Sequence, residues 1–262
     1  MNIVVCIKQV PDTTEIRIDP VKNTLIRPGV PSIMTPFDKN ALETGLQLKD
    51  QYGGKVTVIS MGPPQAKEVL REALAMGADE AYLVTDRAFG GSDTYATSYI
   101  LSEAIKKLGS YDIILGGKQA IDGDTGQTAP SIAEHLGATR LTYVLSLKVE
   151  GDKVIARRQV EEGIEVVETQ FPVLCTATKE SNKPRYATVK GVMRSFRTEI
   201  GQITLADLPN ADTAKMGLKG SPTRVKATFT PKRTANCVSI GGASPKETAD
   251  RLIDMLTEAK IL

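Results

Sequence analysis

The feature that most constrains this chain is a rhythm. Short apolar runs alternate with longer segments carrying one apolar face, from Asn2 to about Leu136. Asn2–Val10 (NIVVCIKQV) reads as a first strand, ended by Pro11 and Asp12. Lys55–Met61, Glu80–Thr85 and Tyr111–Leu115 read as the next three. The segments between them have helical spacing. DKNALETGLQLKDQYG follows Asp38 as an expected N-cap and stops at Gly53–Gly54. PPQAKEVLREALAMG places Val69, Leu70, Ala73, Leu74 and Met76 on one face, with Gly77 as its cap. Asp93–Leu108 offers Tyr95, Tyr99, Leu101 and Ile105 to a core, and a fourth helix ends near Leu136. Strands alternating with helices of this length require a parallel sheet with right-handed crossovers. The expected fold is therefore α/β: a Rossmann-like parallel sheet with flanking helices. Ligands of such sheets sit beyond the carboxyl ends of the strands.

The remainder is less regular. Pro20, Pro28, Gly29 and Pro31 exclude long regular structure before Pro36, although alternation at Glu15–Ile18 and Thr24–Arg27 allows a short hairpin. After Gly137, three or four strands joined by turns at Gly151–Asp152 and Glu162–Gly163 predict a small antiparallel extension, about 140–178. Its PVLCTAT stretch is apolar enough to rejoin the main sheet. A short helix is expected after Pro184. LADLPNADTAKMGLKGSPTRVKATFTPKRTANC reads as an extended C-terminal arm that wraps a partner, because long structureless arms are uncommon inside compact domains. Ser244 and Glu247 stand at capping-box spacing before a last helix. The expected division is a nucleotide-binding α/β domain over 1–190 and a partner-docking segment, arm and helix over 191–262.

Composition removes several classes of function. The 33 basic and 31 acidic residues leave a net charge of +2, so no global field favours nucleic acid or an acidic membrane. Aromatic residues are 5% with no Trp, which argues against a base-stacking platform. No apolar run approaches the roughly 20 residues of a membrane span. Cys6, Cys175 and Cys237 form no CxxC and read as buried small residues in a reducing, cytoplasmic setting. The single histidine, His135, has no metal-binding partner at i+4.

Two loops at the expected carboxyl edge carry the functional pattern. In ILGGKQAIDGDTGQTAPSIAEHLG, Gly116, Gly117, Gly123 and Gly126 allow main-chain N–H groups to point into a concavity. A helix starting near Gly126–Thr128 adds free donors and a positive dipole end, which suits phosphate. Asp122 and Asp124 repel phosphate, so they must face away, cap turns or grip ribose hydroxyls. The plainer reading is a glycine-rich turn with an Asx cap. The loop AFGGSDTYATS repeats the design one strand earlier, with Gly90 and Gly91 before Ser92, Asp93 and Thr94. There is no GxGxxG on the first crossover, no GxxxxGK[ST], and no Ser-His-Asp set except through His135. Nucleotide binding without acid–base machinery fits a carrier, a sensor or a flavin-based redox protein. An ATP-binding sensor or adenylating enzyme on a similar fold is the rival of another class.

The motifs VCIKQVPD, NALE, SMGP, ALAMGAD, GKQAIDGDTGQTAP, FPVLCTAT and NKPRYAT together resemble the beta subunit of electron transfer flavoproteins over nearly the whole chain. The resemblance implies a heterodimer with an alpha subunit that carries the redox flavin. It implies an adenine nucleotide in this subunit: AMP in the simple type, a second FAD in the electron-bifurcating type. By position, the implied cofactor contacts are Cys6, Thr35, Pro36, Phe37, Asp38, Met61, Gly117, Lys118, Gln119, Ala120, Ile121, Asp122, Gly123, Asp124, Thr125, Gly126, Gln127 and Thr128. DRAFGGSDTYATS is similar to the bifurcating group, which implies FAD with NADH approaching Gly90, Gly91, Ser92, Asp93 and Thr94. In that group one electron passes to ferredoxin or flavodoxin and the other, through the alpha-subunit flavin, to a partner dehydrogenase. Docking of an acyl-CoA dehydrogenase is implied at Pro184, Arg185, Tyr186, Val189 and Met193, with Val189 in place of a larger leucine anchor. No side chain is required as acid or base.

Overall fold

The structure, a computed structural model, describes residues 1–12, 31–226 and 237–262. The chain runs β1 (Asn2–Cys6), β2 (Gln9–Pro11), β3 (Ser32–Met34), α1 (Pro36–Tyr52), β4 (Lys55–Met61), α2 (Lys67–Met76), β5 (Glu80–Val84) and α3 (Thr94–Leu108). It continues with β6 (Ile113–Gly117), α4 (Thr128–Leu136), β7 (Thr139–Glu150), β8 (Lys153–Val160), β9 (Gly163–Gln170) and β10 (Val173–Ala177). Last come α5 (Val189–Arg197), β11 (Gly201–Ile203), α6 (Gly217–Gly220) and α7 (Pro245–Glu258).

The main sheet has strand order β11-β5-β4-β1-β6-β10-β7-β8-β9, and β2 pairs with β3 in a separate antiparallel ribbon. From β11 to β7 every neighbouring pair is parallel, whereas β7, β8 and β9 are antiparallel. The central strands are apolar throughout because both of their faces are covered. Ile3, Val5, Ile113, Leu115, Val173 and Cys175 enter one core with Leu42 and Leu46 of α1 and Leu70 and Leu74 of α2. Their neighbours Val4, Ile114 and Leu174 enter the other with Ile100 and Ile105 of α3 and Ile132 of α4. A period of two thus feeds two helical layers, as the sequence rhythm requires.

This order sets the place of any ligand. From β1 the chain moves outward through β4 to β5, then returns across β1 to β6. Its direction reverses between β1 and β6, so a crevice opens beyond their carboxyl ends. Cys6 stands beside Gly116 there.

Several sequence expectations need correction. The first strand does not run to Val10. The Ile7 amide still bonds Ile59 of β4 (2.9 Å), but the Lys8 amide turns to the Asp38 carboxylate (2.7 Å) and the chain leaves the sheet. Asp38 is not the N-cap of α1; Thr35 is, with Pro36 at the first helical position. Tyr95 of α3 is exposed, whereas Tyr99, Leu101 and Ile105 are buried. The antiparallel extension continues the main sheet, and it is covered mainly on one face, where Val154 and Ala156 are buried. The turn between β8 and β9 falls at Glu161–Glu162. Cys175 is buried, but Cys6 is only partly so and Cys237 is exposed. The hairpin expected within 15–27 lies outside the described residues.

The described part of the segment read as an arm packs on the main sheet. Ile203 of β11, with Leu208 and Met216, joins the core over α3. By its internal contacts the chain divides into two compact units, Met1–Lys226 and Ala227–Leu262. Residues 227–236 of the expected arm lie outside the described residues. The last helix starts as its sequence predicts, with the Ser244 hydroxyl accepting the Glu247 amide.

Candidate nucleotide site

The crevice is built from three strand exits and two helix starts. Asp38, in the first turn of α1 and 8% exposed, ties them together. One carboxylate oxygen accepts the Lys8 amide (2.7 Å) and the other the Gly117 amide (2.9 Å). It thereby joins the exit of β1 to the end of β6. Burial pushes the Asp38 carboxyl up to about 7, against the lowering effect of those two N–H bonds and Lys8. Burial, with the charge of Asp38 nearby, pushes the Cys6 thiol up to about 12, so Cys6 is no thiolate nucleophile.

Gly117 is required by this junction. A Cβ there would come within 2.5 Å of the Asp38 Oδ1, 2.7 Å of the Phe37 Cβ and 2.8 Å of the Asp38 N. The start of α1 thus lies against the backbone of β6, and only a glycine permits that approach.

Among the described residues, most amides of the glycine loop have no acceptor. The Gly117 amide bonds Asp38 and the Lys118 amide bonds Ala177 (2.9 Å). From Gln119 to Thr128, the only amide donating to an acceptor among the described residues is that of Asp124, to Ala120 (2.8 Å). Both helices that begin here, α1 and α4, lack a side-chain cap. By contrast Asp93, Thr188 and Ser244 cap α3, α5 and α7. Free N–H groups at a helix start suit an anion; at α1 this leaves the Phe37 amide, because Pro36 has no N–H and the Asp38 and Lys39 amides bond the Thr35 carbonyl. The buried Thr35 hydroxyl likewise has no partner among the described residues. A main-chain cradle with these free donors fits the phosphates of an adenine nucleotide.

The two aspartates are accounted for without a ligand. Asp122 pairs with Lys8 Nζ at 2.6 Å, which offsets its charge beside the cradle. Asp124 adopts the left-handed conformation (φ 49°) and accepts from Gln119 Nε2 (2.9 Å), holding the turn. Lys118 lies over the Tyr143 ring, 5.0 Å from its centroid. These two residues, with Gly126, Gln127, Arg140 and Thr176, line a cleft of about 430 Å³ beside the loop. A second cleft of about 450 Å³ opens at the other end of the sheet, among Asn2, Lys55, Glu80 and Gln202, far from the glycine loops. Met61 ends β4 at the carboxyl edge, as expected.

The Gly90–Thr94 loop is differently arranged. Asp93 caps α3 through the Ala96 amide (3.1 Å), and its other oxygen accepts the Thr223 amide (2.9 Å) and hydroxyl (2.8 Å). Ser92 accepts the Gly217 amide (3.1 Å), and Gly91 stands against Leu218. The polar groups of this loop therefore hold the segment 217–223, while Gly90 and Gly91 stay exposed. His135 lies edge-on to Tyr95 and Tyr99, and burial lowers its basicity. Among the described residues no cluster of His, Cys, Asp and Glu could hold a metal, and no helix is long and apolar enough to cross a membrane.

The residues read as a docking segment are held on α1 and at the start of α5. Tyr186 is 95% exposed, and Val189, Val192, Met193 and Phe196 form an exposed apolar stripe on α5. Sequence reasoning missed how this segment is held. Two motifs noticed separately, NALE and NKPRYAT, bond to each other: Asn40 with Asn182, and Glu43 with Arg185.

A family model for the electron transfer flavoprotein domain matches residues 22–208. An electron transfer flavoprotein subunit beta of Thermoanaerobacterium thermosaccharolyticum is 54% identical over 262 residues, covering all of both chains. One from Clostridium acetobutylicum is 57% identical over 258 residues, 98% of each chain. The caffeyl-CoA reductase-Etf complex subunit CarD of Acetobacterium woodii is 49% identical over 263 residues, again covering all of both. With an α/β sheet whose switch point opens beside a glycine-rich loop, this chain belongs to the electron transfer flavoprotein family, among its beta subunits.

Proposed function

We propose that this chain is the beta subunit of a heterodimeric electron transfer flavoprotein of the bifurcating type, holding FAD at the β1/β6 crevice with NADH as electron donor. The observation that carries the reading is the run of free amides from Gln119 to Thr128 beside the uncapped start of α4. Those amides, with the Thr35 hydroxyl and the start of α1 at Phe37, would bind the diphosphate. Asp38 sets the spacing of the two strand exits that carry them. Lys8 holds Asp122 off the anion. The exposed Gly90–Gly91 backbone is the approach for NADH, on a loop kept in shape by Ser92, Asp93 and Thr94.

When bound, FAD supplies hydride acceptance from NADH and delivery of single electrons, one to a low-potential acceptor such as ferredoxin or flavodoxin, the other to the alpha-subunit flavin. The stripe of Tyr186, Val189, Met193 and Phe196 serves a partner acyl-CoA or similar dehydrogenase. CarD, by its name a subunit of a caffeyl-CoA reductase-Etf complex, supports a partner acting on a CoA ester. No side chain in the crevice is required to move a proton.

Denaturing the purified heterodimer and quantifying the released nucleotide tests the reading. Two FAD per heterodimer are expected. One FAD and one AMP would replace it with the non-bifurcating type, in which AMP has a structural role. Release of no adenine nucleotide from this subunit would end both.

A further inference from the structure

The irregular segment 182–188 crosses α1 before α5 begins, and irregular surface backbone is ordinarily mobile. Here side chains of α1 fix it. Asn40 Nδ2 donates to the Asn182 carbonyl (2.9 Å), and Asn182 Nδ2 donates to the Asn40 carbonyl (3.0 Å) and Thr44 hydroxyl (2.9 Å). Glu43, only 4% exposed, does more. Its Oε2 accepts the Arg185 amide (3.1 Å) and Nε (2.8 Å), and its Oε1 accepts the second guanidinium arm (3.1 Å). Gln47 also donates to Oε1 (3.0 Å), and Asp50 takes a further Arg185 bond (2.8 Å).

Nothing in the nucleotide crevice uses Glu43. Glu43 is buried but the Arg185 side chain is 34% exposed, so the pair is half-buried; such a pair is a poor source of stability compared with apolar packing, and its best-attested use is to fix a register. The register it fixes is visible one residue later. Arg185 is followed by Tyr186, the most exposed large apolar side chain among the described residues, and two residues later by Thr188, the N-cap of α5. The far side of α5 is held separately on α2, where Arg194 donates to the Leu74 (2.8 Å) and Ala78 (2.9 Å) carbonyls. So α2 seats the helix, and α1 seats the strand of chain that leads into it.

We propose that Glu43 is a positioning residue for partner docking: by gripping Arg185 it presents Tyr186 and the start of α5 in one fixed register to the partner dehydrogenase. The inference rests on the docking reading above. Its test uses the intact heterodimer and an acyl-CoA dehydrogenase that accepts electrons from the wild-type complex. Glu43→Gln and Arg185→Lys are expected to raise the KM for that dehydrogenase about tenfold, with kcat changed by less than about twofold. Flavin content and the rate of flavin reduction by NADH should be unchanged. Val189→Asp serves as the direct disruption of the surface. If Val189→Asp raises KM but Glu43→Gln and Arg185→Lys do not, the positioning role is wrong. If Val189→Asp also leaves KM unchanged, the docking reading itself fails. Loss of bound flavin in both Glu43→Gln and Arg185→Lys would make the pair a general structural element and overturn the proposal.

Discussion

The crevice depends on two residues whose roles are set by close approach. At Gly117 the start of α1 leaves no room for a methyl group, since both nearest neighbours, Phe37 and Asp38, belong to a packed helix start. Gly117→Ala must displace α1 or the end of β6, at a cost of about 1–3 kcal/mol for overpacking. Reduced thermal stability together with loss of bound nucleotide is the expected outcome, read by differential scanning calorimetry and flavin absorbance. Asp38 makes a pH-dependent contribution. Its folded carboxyl lies at about 7, whereas an unfolded aspartate titrates near 3.8. The folded state therefore holds the proton more tightly than the unfolded chain. This contribution to stability is full below about 4 and is lost as pH rises through about 7. Asp38→Asn removes the titration, so the fall in melting temperature between about pH 4 and pH 7 should be shallower in the variant than in the wild type. Equal slopes would exclude Asp38 as the group responsible.

Elements were legible in the sequence where a period repeats and illegible where a single contact decides. The alternation of Val4 and Val5, or of Ile113 and Ile114, between two cores produces continuous apolar runs that announce strands. β11 is three residues beginning with a glycine, and only its pairing with β5 makes it a strand. The exit of β1 was hidden because apolar Val10 lies beyond Lys8, whose amide already leaves the sheet for Asp38. Likewise the glycine loop was visible as a pattern, but the Asp38–Gly117 bond spans 79 positions and the Glu43–Arg185 pair 142. No local pattern encodes such pairs. The same holds for the seat of α5. Gly191 lies against the Ala75 carbonyl, and Arg194 closes the carboxyl end of α2 by bonding the Leu74 carbonyl in its last turn and the Ala78 carbonyl just beyond it. Arg194→Ala strips two charge-assisted bonds from that end and should cost about 1.5–3 kcal/mol in chemical denaturation. Hydrogen exchange should locate the loosening at α5 and the end of α2, with the crevice unaffected.

At the scale of the molecule, the two compact units differ in how they are stabilised. Met1–Lys226 has two apolar layers around one sheet, enough to fold on its own terms. In Ala227–Leu262 the only regular element among the described residues is α7, and none of its residues is buried. Its cap at Ser244 and the Glu247–Arg251 pair at i,i+4 contribute about 1 kcal/mol and a few tenths, respectively. A 14-residue helix in water is marginal on such terms alone. Yet Leu252, Ile253, Met255, Ile261 and Leu262 are all exposed, an apolar content that a solitary surface helix has no reason to keep. In the proposed heterodimer the alpha subunit is the surface available to cover them. Amides of α7 should therefore exchange within seconds in the isolated chain and become protected when the alpha subunit is added. Leu252→Glu with Ile253→Glu should weaken heterodimer formation about tenfold or more without changing the melting of the first unit. Equal protection of α7 with and without the alpha subunit would show that this helix is no part of the subunit contact.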